Sequence, residues 1–496
     1  MSVNHLAIAS SLLLSPKQLR QNTVWGIFRS LTVTLLYLAF YPVYIGFLGL
    51  EVFGVWILFM SLVLYLQLGF LNLPQAATKF VSDALARQDA LLICRYATSL
   101  LGGILGISLL ILLLSLASRE FLPRLSWIPE PWASQVPYLI GLTALITVQA
   151  ILAETLGGIL SGLGRMDRTY QMEILRHGVA FLASLGLLFK GYQLLAFFYG
   201  GILSYLLQLV VLVFFIRRSL GFLPLGLQFF SWPRLVETAR FSGPLCGGSL
   251  MYCLLGPFNR LMLGYMISPA ATAVYEIADR AGQALRSVAE MGLRPYLPQI
   301  SGLTALGDFE QIRRVTIRLI KTIVIWGTPI FILFFLTADE IVAIWLRSAA
   351  RPEISGNMRI ILWAYYLNLL AFPVYYAFMG MGLVGRCFRN HLVMTLTNVP
   401  LAIVFLWGVR EVWAVSLAMT VSFGLAALDQ IWLFLRTRGE AISLISKGLR
   451  ALSWPFLFFA PLILLRGHQP LLLAFGGVAG LLYVLWMKRG AKVSPS

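Results

Sequence analysis

The chain has 496 residues, of which 59% are hydrophobic and 12% charged, with a mean hydropathy of +0.84. That balance excludes a soluble globular domain and a disordered polymer, and fits an integral membrane protein. The net charge of +18 is carried by basic residues scattered between apolar runs rather than gathered on one soluble module, so nucleic acid is not an expected partner.

Apolar runs recur from Asn22 to Trp486 with short polar links between them. At roughly 20 residues per crossing they predict about fourteen transmembrane helices and leave no room for a soluble domain. Residues 1–21 have no basic start and too short an apolar run to span, so they read as a cytoplasmic lead rather than a signal peptide. Residues 22–218 then hold six predicted spans. Arg29 interrupts the first of them, either snorkelling to the inner interface or facing a cavity. Glu154 sits within the fourth, where it is either a hydrogen-bonded structural carboxyl or a candidate coupling group.

Residues 219–239 carry Phe222, Leu227, Phe229, Phe230 and Trp232 and read as an interfacial link. Residues 240–436 supply six further spans, with Arg260 near the outer end of the seventh and Asp429 in the twelfth as a second candidate coupling carboxylate. Residues 437–496 add two peripheral helices and a tail. Paired basic residues (Arg165 and Arg168, Arg217 and Arg218, Arg313 and Arg314, Arg386 and Arg389) alternate with sparsely basic links. That asymmetry predicts a multi-pass protein of the cytoplasmic membrane with both termini cytoplasmic. A weak internal similarity at a shift of about 219 positions sets Ser82 against Ser301, Asp89 against Asp308 and Arg95 against Arg314. It predicts two six-helix lobes in the same orientation, plus the two C-terminal helices.

One predicted span is anomalous. In AVYEIADRAGQALRSVAEMGLR, from Ala273 to Arg294, the residues Glu276, Asp279, Arg280, Arg286, Glu290 and Arg294 share a wedge of about 120° on one helical face. The stripe would rise roughly 27 Å, close to the hydrocarbon thickness of a bilayer. Each such charge costs about 2.5–3.5 kcal/mol at the membrane centre, so the face needs compensation. Pairs such as Glu276 with Arg280 and Arg286 with Glu290 offer it within the helix; a water-filled cavity or polar ligand offers it from outside. Arginines in such a cavity suit a phosphate or pyrophosphate through bidentate, charge-assisted bonds.

Cys94, Cys246, Cys253 and Cys387 are dispersed, with no metal-ligand spacing. No nucleophile elbow or phosphate-binding glycine loop occurs, so no cofactor, metal or catalytic group is expected.

The run YIGFLGLEVFGVWILFMSLVLYLQLGFLNLPQAATKFVSDALARQD resembles the first hairpin of the Wzx-type polysaccharide flippases of the multidrug/oligosaccharidyl-lipid/polysaccharide exporter superfamily. NRLMLGYMISPAATAVYEIADRA resembles their passage from the seventh to the eighth helix. The resemblance implies an all-α fold with two six-helix lobes around a central cleft, and alternating access that carries a lipid-linked oligosaccharide outward. It implies a lipid-phosphate site built from cleft arginines, carried over to Arg280 and Arg286 first, then Arg29; Arg294, from its place on the wedge, and Arg260, equally an outer interfacial anchor, are further candidates from the residues alone. The acids Glu276, Asp279 and Glu290 depart from a simple anion cradle and are expected as charge partners. Expected partners are the substrate, membrane lipids and a polysaccharide polymerase or glycosyltransferase. A drug or cation antiporter of the same superfamily is the nearest alternative. A membrane-embedded glycosyl transferase, polymerase or ligase is further off, because no outer link is long enough to hold a substrate.

Overall fold

The computed structural model describes residues 16–67, 73–117, 134–291, 293 and 296–436. Among them every regular element is helical, as the all-α polytopic reading requires. Nine helices among the described residues are long and apolar enough to cross a membrane. The two predicted C-terminal helices lie outside the described residues. The described residues form two compact units divided between Thr272 and Ala273.

The first unit opens with α1 (Pro16–Gln67), which is two helices joined at Gly49, where φ is 74° and ψ 170°. Only glycine adopts that backbone without strain, so Gly49 ends the first span and lets the second start at once. After it come α2 (Leu73–Ala86), α3 (Ala90–Ala117), α4 (Val136–Gly162), α5 (Met166–Phe189) and α6 (Leu195–Leu220). The short α2 lies directly on α4. A Cβ added at Gly158 would stand 2.4 Å from the Pro74 carbonyl oxygen, and Thr78 Oγ1 and Ser82 Oγ donate to the carbonyls of Gly158 and Gly162, both at 3.0 Å. Small residues at a helix contact let backbones approach and replace lipid contact with dispersion and hydrogen bonds.

The link docks on the same unit. Ser231 N donates to Ser99 Oγ at 2.8 Å, and in α7 (Trp232–Cys253) Glu237 Oε2 accepts from Arg234 Nη1 at 2.7 Å and from the Tyr96 hydroxyl at 3.0 Å. The bond from Arg234 holds the Glu237 carboxyl below its usual range. The predicted seventh span is broken: α7 ends at Cys253 and α8 (Gly256–Met266) restarts with Pro257 in its first turn, where proline's missing N–H costs nothing. Thr272 Oγ1 donates to the Arg260 carbonyl at 3.0 Å, tying α8 to the start of α9 (Pro269–Met291).

In the second unit the body of α9 is succeeded by α10 (Tyr296–Ala305), α11 (Phe309–Thr322) and a π-helical turn (Ile323–Gly327). Next come α12 (Thr328–Leu336), α13 (Ala338–Leu346), α14 (Pro352–Gly380), α15 (Val384–Val409) and α16 (Val412–Arg436). Pro329 lacks the N–H that would bond back to Ile325, and the π-turn absorbs the defect so that α11 and α12 cross as one bent span. Here α9 is the central element: Tyr275, Ile277 and Ala278 are fully buried, and a Cβ at Gly282 would meet the Tyr365 ring at 2.5 Å.

The internal similarity has a structural counterpart. Helices begin at Ala90 and Phe309, Val136 and Pro352, Met166 and Val384, Leu195 and Val412. Asp89 and Asp308 both cap the helix that follows, accepting from Leu92 N and Gln311 N at 2.9 Å each. Each is preceded by a left-handed residue, Gln88 at φ 54° and Gly307 at φ 71°. Gly164 and Gly382, at φ 79° and 73°, make the corresponding later turns.

Candidate functional site

The charged face of α9 is packed along α14. Both helices run the same way, and contacts at the two ends of the face keep one offset of 86 residues: the Tyr365 hydroxyl donates to Asp279 Oδ1 at 2.5 Å and the Tyr376 hydroxyl to Glu290 Oε1 at 3.5 Å. Positions 365, 368, 372 and 376 fall on one face of α14 by helical spacing, as 276, 279, 283, 286 and 290 do on α9. Two polar faces in register give Asp279, Arg286 and Glu290 a partner across the contact as well as along their own helix.

The first two acids are the most deeply buried charges of the stripe. Glu276 and Asp279 are 1% and 2% exposed. Arg280 Nη2 donates to Glu276 Oε1 at 2.8 Å, and Gln283 Nε2 to Asp279 Oδ2 at 2.8 Å. Lower down, Arg286 Nη1 reaches Asn368 Oδ1 at 3.5 Å and stands 3.9 Å from Glu290 Oε2. Its guanidinium lies 5.5 Å from the Tyr365 ring centroid and 5.3 Å from that of Phe372, within cation–π range. Arg280, Arg286 and Glu290 keep 26%, 17% and 21% of their side chains accessible. Glu276 and Asp279 are therefore built in, whereas Arg280, Arg286 and Glu290 remain reachable.

Both readings of the stripe have a counterpart here. The i,i+4 pairs Glu276 with Arg280 and Arg286 with Glu290 are formed, and yet Arg280, Arg286 and Glu290 stay partly accessible. Arg294 lies outside the described residues. Arg260, in the first unit, is 8% exposed and turns its guanidinium back towards Gly256.

A second charged cluster lies inside the first unit. Arg29 Nε in α1 bonds Glu173 Oε2 in α5 at 2.5 Å. One turn on, Arg176 contacts His177 Nε2 at 2.7 Å and lies over the Tyr205 ring of α6 at 4.6 Å. Glu154 of α4 is exposed and stands in the fields of Arg176 and Glu173. Three helices thus bring two acids and two arginines together, and α6 adds the Tyr205 ring. Asp429 is placed otherwise: both its oxygens accept from Arg389 of α15, at 2.6 and 2.9 Å, in a bidentate pair.

Glu173, Arg176, Tyr365, Asn368, Phe372 and Tyr376 escaped the sequence reading. A signal existed for the first two, which sit well inside a predicted span in MDRTYQMEILRHG and share a helical face. The aromatic residues of α14 offered none, because a span rich in tyrosine and phenylalanine reads equally as lipid-facing or as core. Among the described residues no group of acids, histidines and cysteines could hold a metal ion.

Residues 137–349 match the family model described as polysaccharide biosynthesis protein. No curated protein sequence matches the chain. Solved structures do. The lipid II flippase MurJ in an inward closed conformation aligns over 95% of this chain and 99% of its own at 13% identity, with a TM-score of 0.70. A multidrug resistance MATE family transporter of the MOP superfamily aligns in its inward-facing conformation over 90% of this chain and 99% of its own, at 14% identity and a TM-score of 0.63. An outward-facing structure of a MATE family transporter aligns over 87% and 97%, at 17% identity and a TM-score of 0.60. At such identities these likenesses establish the fold. Together with the family model they bear out the superfamily resemblance carried by residues 44–89 and 259–281.

Proposed function

We propose that this chain, a transporter of the multidrug/oligosaccharidyl-lipid/polysaccharide exporter superfamily, moves a lipid-linked oligosaccharide across the cytoplasmic membrane by alternating access of its two lobes. The observation that carries the reading is the accessible side of α9, where Arg280 and Arg286 are held by Glu276 and Glu290 yet remain partly exposed. Guanidinium groups held in place by acids lose little freedom when a pyrophosphate arrives, and their fork matches its oxygens. Arg29, held by Glu173, is the corresponding cation of the first unit. The match of residues 137–349 to a polysaccharide biosynthesis model supports the same substrate class.

Transport, rather than covalent chemistry, is the work such a site can do: it offers charge and hydrogen bonds and no activated nucleophile. A drug or cation antiporter shares the fold. Two guanidinium forks on the accessible face match the oxygens of a phosphate and offer a cation nothing to bind, and we therefore favour the anionic lipid.

Energy coupling falls to Glu154 rather than Asp429 in this reading. Glu154 is exposed among ionisable neighbours on other helices, whereas Asp429 is engaged at both oxygens by Arg389. Glu154→Gln should remove any stimulation of transport by a proton gradient in proteoliposomes while Asp429→Asn keeps it. Stimulation surviving in Glu154→Gln would exclude Glu154 as the coupling group.

The orientation has its own test. Single cysteines at Arg314 and Arg124 should be labelled by an impermeant thiol reagent from the cytoplasmic and the outer side respectively. Labelling of both from one side would refute the proposed topology. Flipping of a purified polyprenyl-pyrophosphoryl oligosaccharide in proteoliposomes tests the activity itself.

A further inference from the structure

The two copies of the repeat part company on one helix face. Counting from the matched caps Asp89 and Asp308, Ser99 and Gly102 of α3 correspond to Arg318 and Lys321 of α11. In the first unit that face is covered by the chain itself. Ser231 N donates to Ser99 Oγ at 2.8 Å, Thr98 Oγ1 donates to the Pro224 carbonyl at 3.3 Å, and a Cβ added at Gly102 would stand 3.0 Å from the Phe230 ring. Small residues make room for that cover. In the second unit the same positions carry two long cationic side chains, and both are exposed.

Exposure along this span follows a single line. Arg314, Arg318, Thr322, Trp326 and Ile330 recur every four residues and all are exposed, with Lys321 beside them, while Val315, Leu319 and Ile323 are buried on the other side. The π-helical turn from Ile323 to Gly327 is wider than an α turn and takes back part of the drift that a four-residue step accumulates. From Ile323 to Leu336 the span holds no charge, so the exposed Trp326 and Ile330 suit acyl chains, and the line continues from them into cations.

These cations are unmatched. Arg313, one position round the helix, pairs with Glu310 at 3.4 Å, but among the described residues no acid meets the side chains of Arg314, Arg318 or Lys321. From Arg314 to Lys321 the helix rises about 10 Å. Headgroups fill roughly 5–8 Å on each side of the hydrocarbon, so the stripe stands at their level when Trp326 marks the edge of the apolar core. Residues 437–457 follow the second copy as the link follows the first, but they hold Arg438, Lys447 and Arg450 against Glu440 alone, and their charge does not complement the stripe. An anion with apolar tails complements the whole line.

We infer that the exposed face of this span from Arg314 to Ile330 binds an anionic phospholipid of the surrounding membrane, its phosphate held by Arg318 and Lys321, with Arg314 further out, and its acyl chains along Trp326 and Ile330. The ligand is bulk lipid and not cargo, so the site goes beyond the transport reading and would stand without it. Each Lys or Arg at the headgroup level favours an anionic over a zwitterionic lipid by about fivefold.

Photo-crosslinking tests it. The full-length protein with p-benzoylphenylalanine in place of Thr322, reconstituted in vesicles of equal phosphatidylglycerol and phosphatidylcholine, should capture phosphatidylglycerol in preference by about fivefold, read from the adduct masses. The same probe in place of Leu396, exposed on α15, should capture the two within about twofold of each other. Arg318→Gln with Lys321→Gln should bring the ratio at Thr322 down to that control, and Arg318→Lys should keep it. Molar salt, which screens the contact without touching those residues, should lower the ratio as well. Equal capture of both lipids at Thr322 overturns the site, as does a preference that survives the double replacement. Adducts to residues 437–457, or to another protein, in place of lipid would show that protein covers the face and overturn it too.

Discussion

Arg280→Ala should lower abundance and abolish glycan export even when export is compared at matched protein level, with Arg286→Ala close behind. The substitution leaves Glu276, 1% exposed and bonded by Arg280 at 2.8 Å, as a carboxylate whose nearest compensating charge has gone. Removing one partner of a buried pair costs about 3–5 kcal/mol when the survivor stays ionised. The loss of a charge-assisted contact to a phosphate adds about tenfold to a hundredfold in affinity. Double replacement separates the two effects. Arg280→Ala with Glu276→Gln should recover abundance and thermal stability without recovering export, because the neutral pair restores the packing and not the anion site. Recovery of export by the double variant would mean that Arg280 serves only to neutralise Glu276. Wild-type glycan levels in both single variants, at matched abundance, would sink the head-group assignment altogether.

The largest loss of stability is expected at Gly158. A valine there would place its Cβ about 2.4 Å from the Pro74 carbonyl oxygen, a contact with backbone on both sides and no flexible side chain to yield. The α2 and α4 helices would have to separate, breaking the bonds from Thr78 Oγ1 to Gly158 O and from Ser82 Oγ to Gly162 O. Overpacking of this kind costs about 3 kcal/mol and each lost hydrogen bond about 1 kcal/mol more. Thermal unfolding of the detergent-purified protein should show a marked fall in Tm for Gly158→Val. Gly106→Ala is the control: nothing lies within 4 Å of its added Cβ, and the better helix former should leave Tm equal or slightly raised. A Gly158→Val protein as stable as the wild type would show that α2 and α4 do not need their close approach.

Much of this architecture was legible in the sequence because hydrophobic length is a strong signal. Spans of 24 to 29 residues stand where the apolar runs predicted them, and the charged face of α9 was visible from its period alone. Where composition weakens, legibility fails. The seventh span is two helices because Gly256 and Pro257 restart the chain, whereas the apolar run across them reads as one continuous span. The site was half legible for a related reason. Helical periodicity shows which charges share a face of one helix, but the partners of Arg29, Asp429 and Asp279 are Glu173, Arg389 and Tyr365, separated from them by 144, 40 and 86 positions. Pairing at such distances depends on which helices become neighbours, and no local pattern encodes that.

The matched caps at Asp89 and Asp308, each behind a left-handed residue, have a bearing on how the two halves could come to differ. A helix start written into a handful of residues holds its place whatever follows it. After a duplication, such punctuation keeps both copies in frame while the letters between the marks drift. One copy would thereby be at liberty to trade lipid-compatible residues for the ionic face of α9, and the other to gather its charges from three separate helices. An ancestral protein with two identical halves could specialise one of them without relearning how to fold.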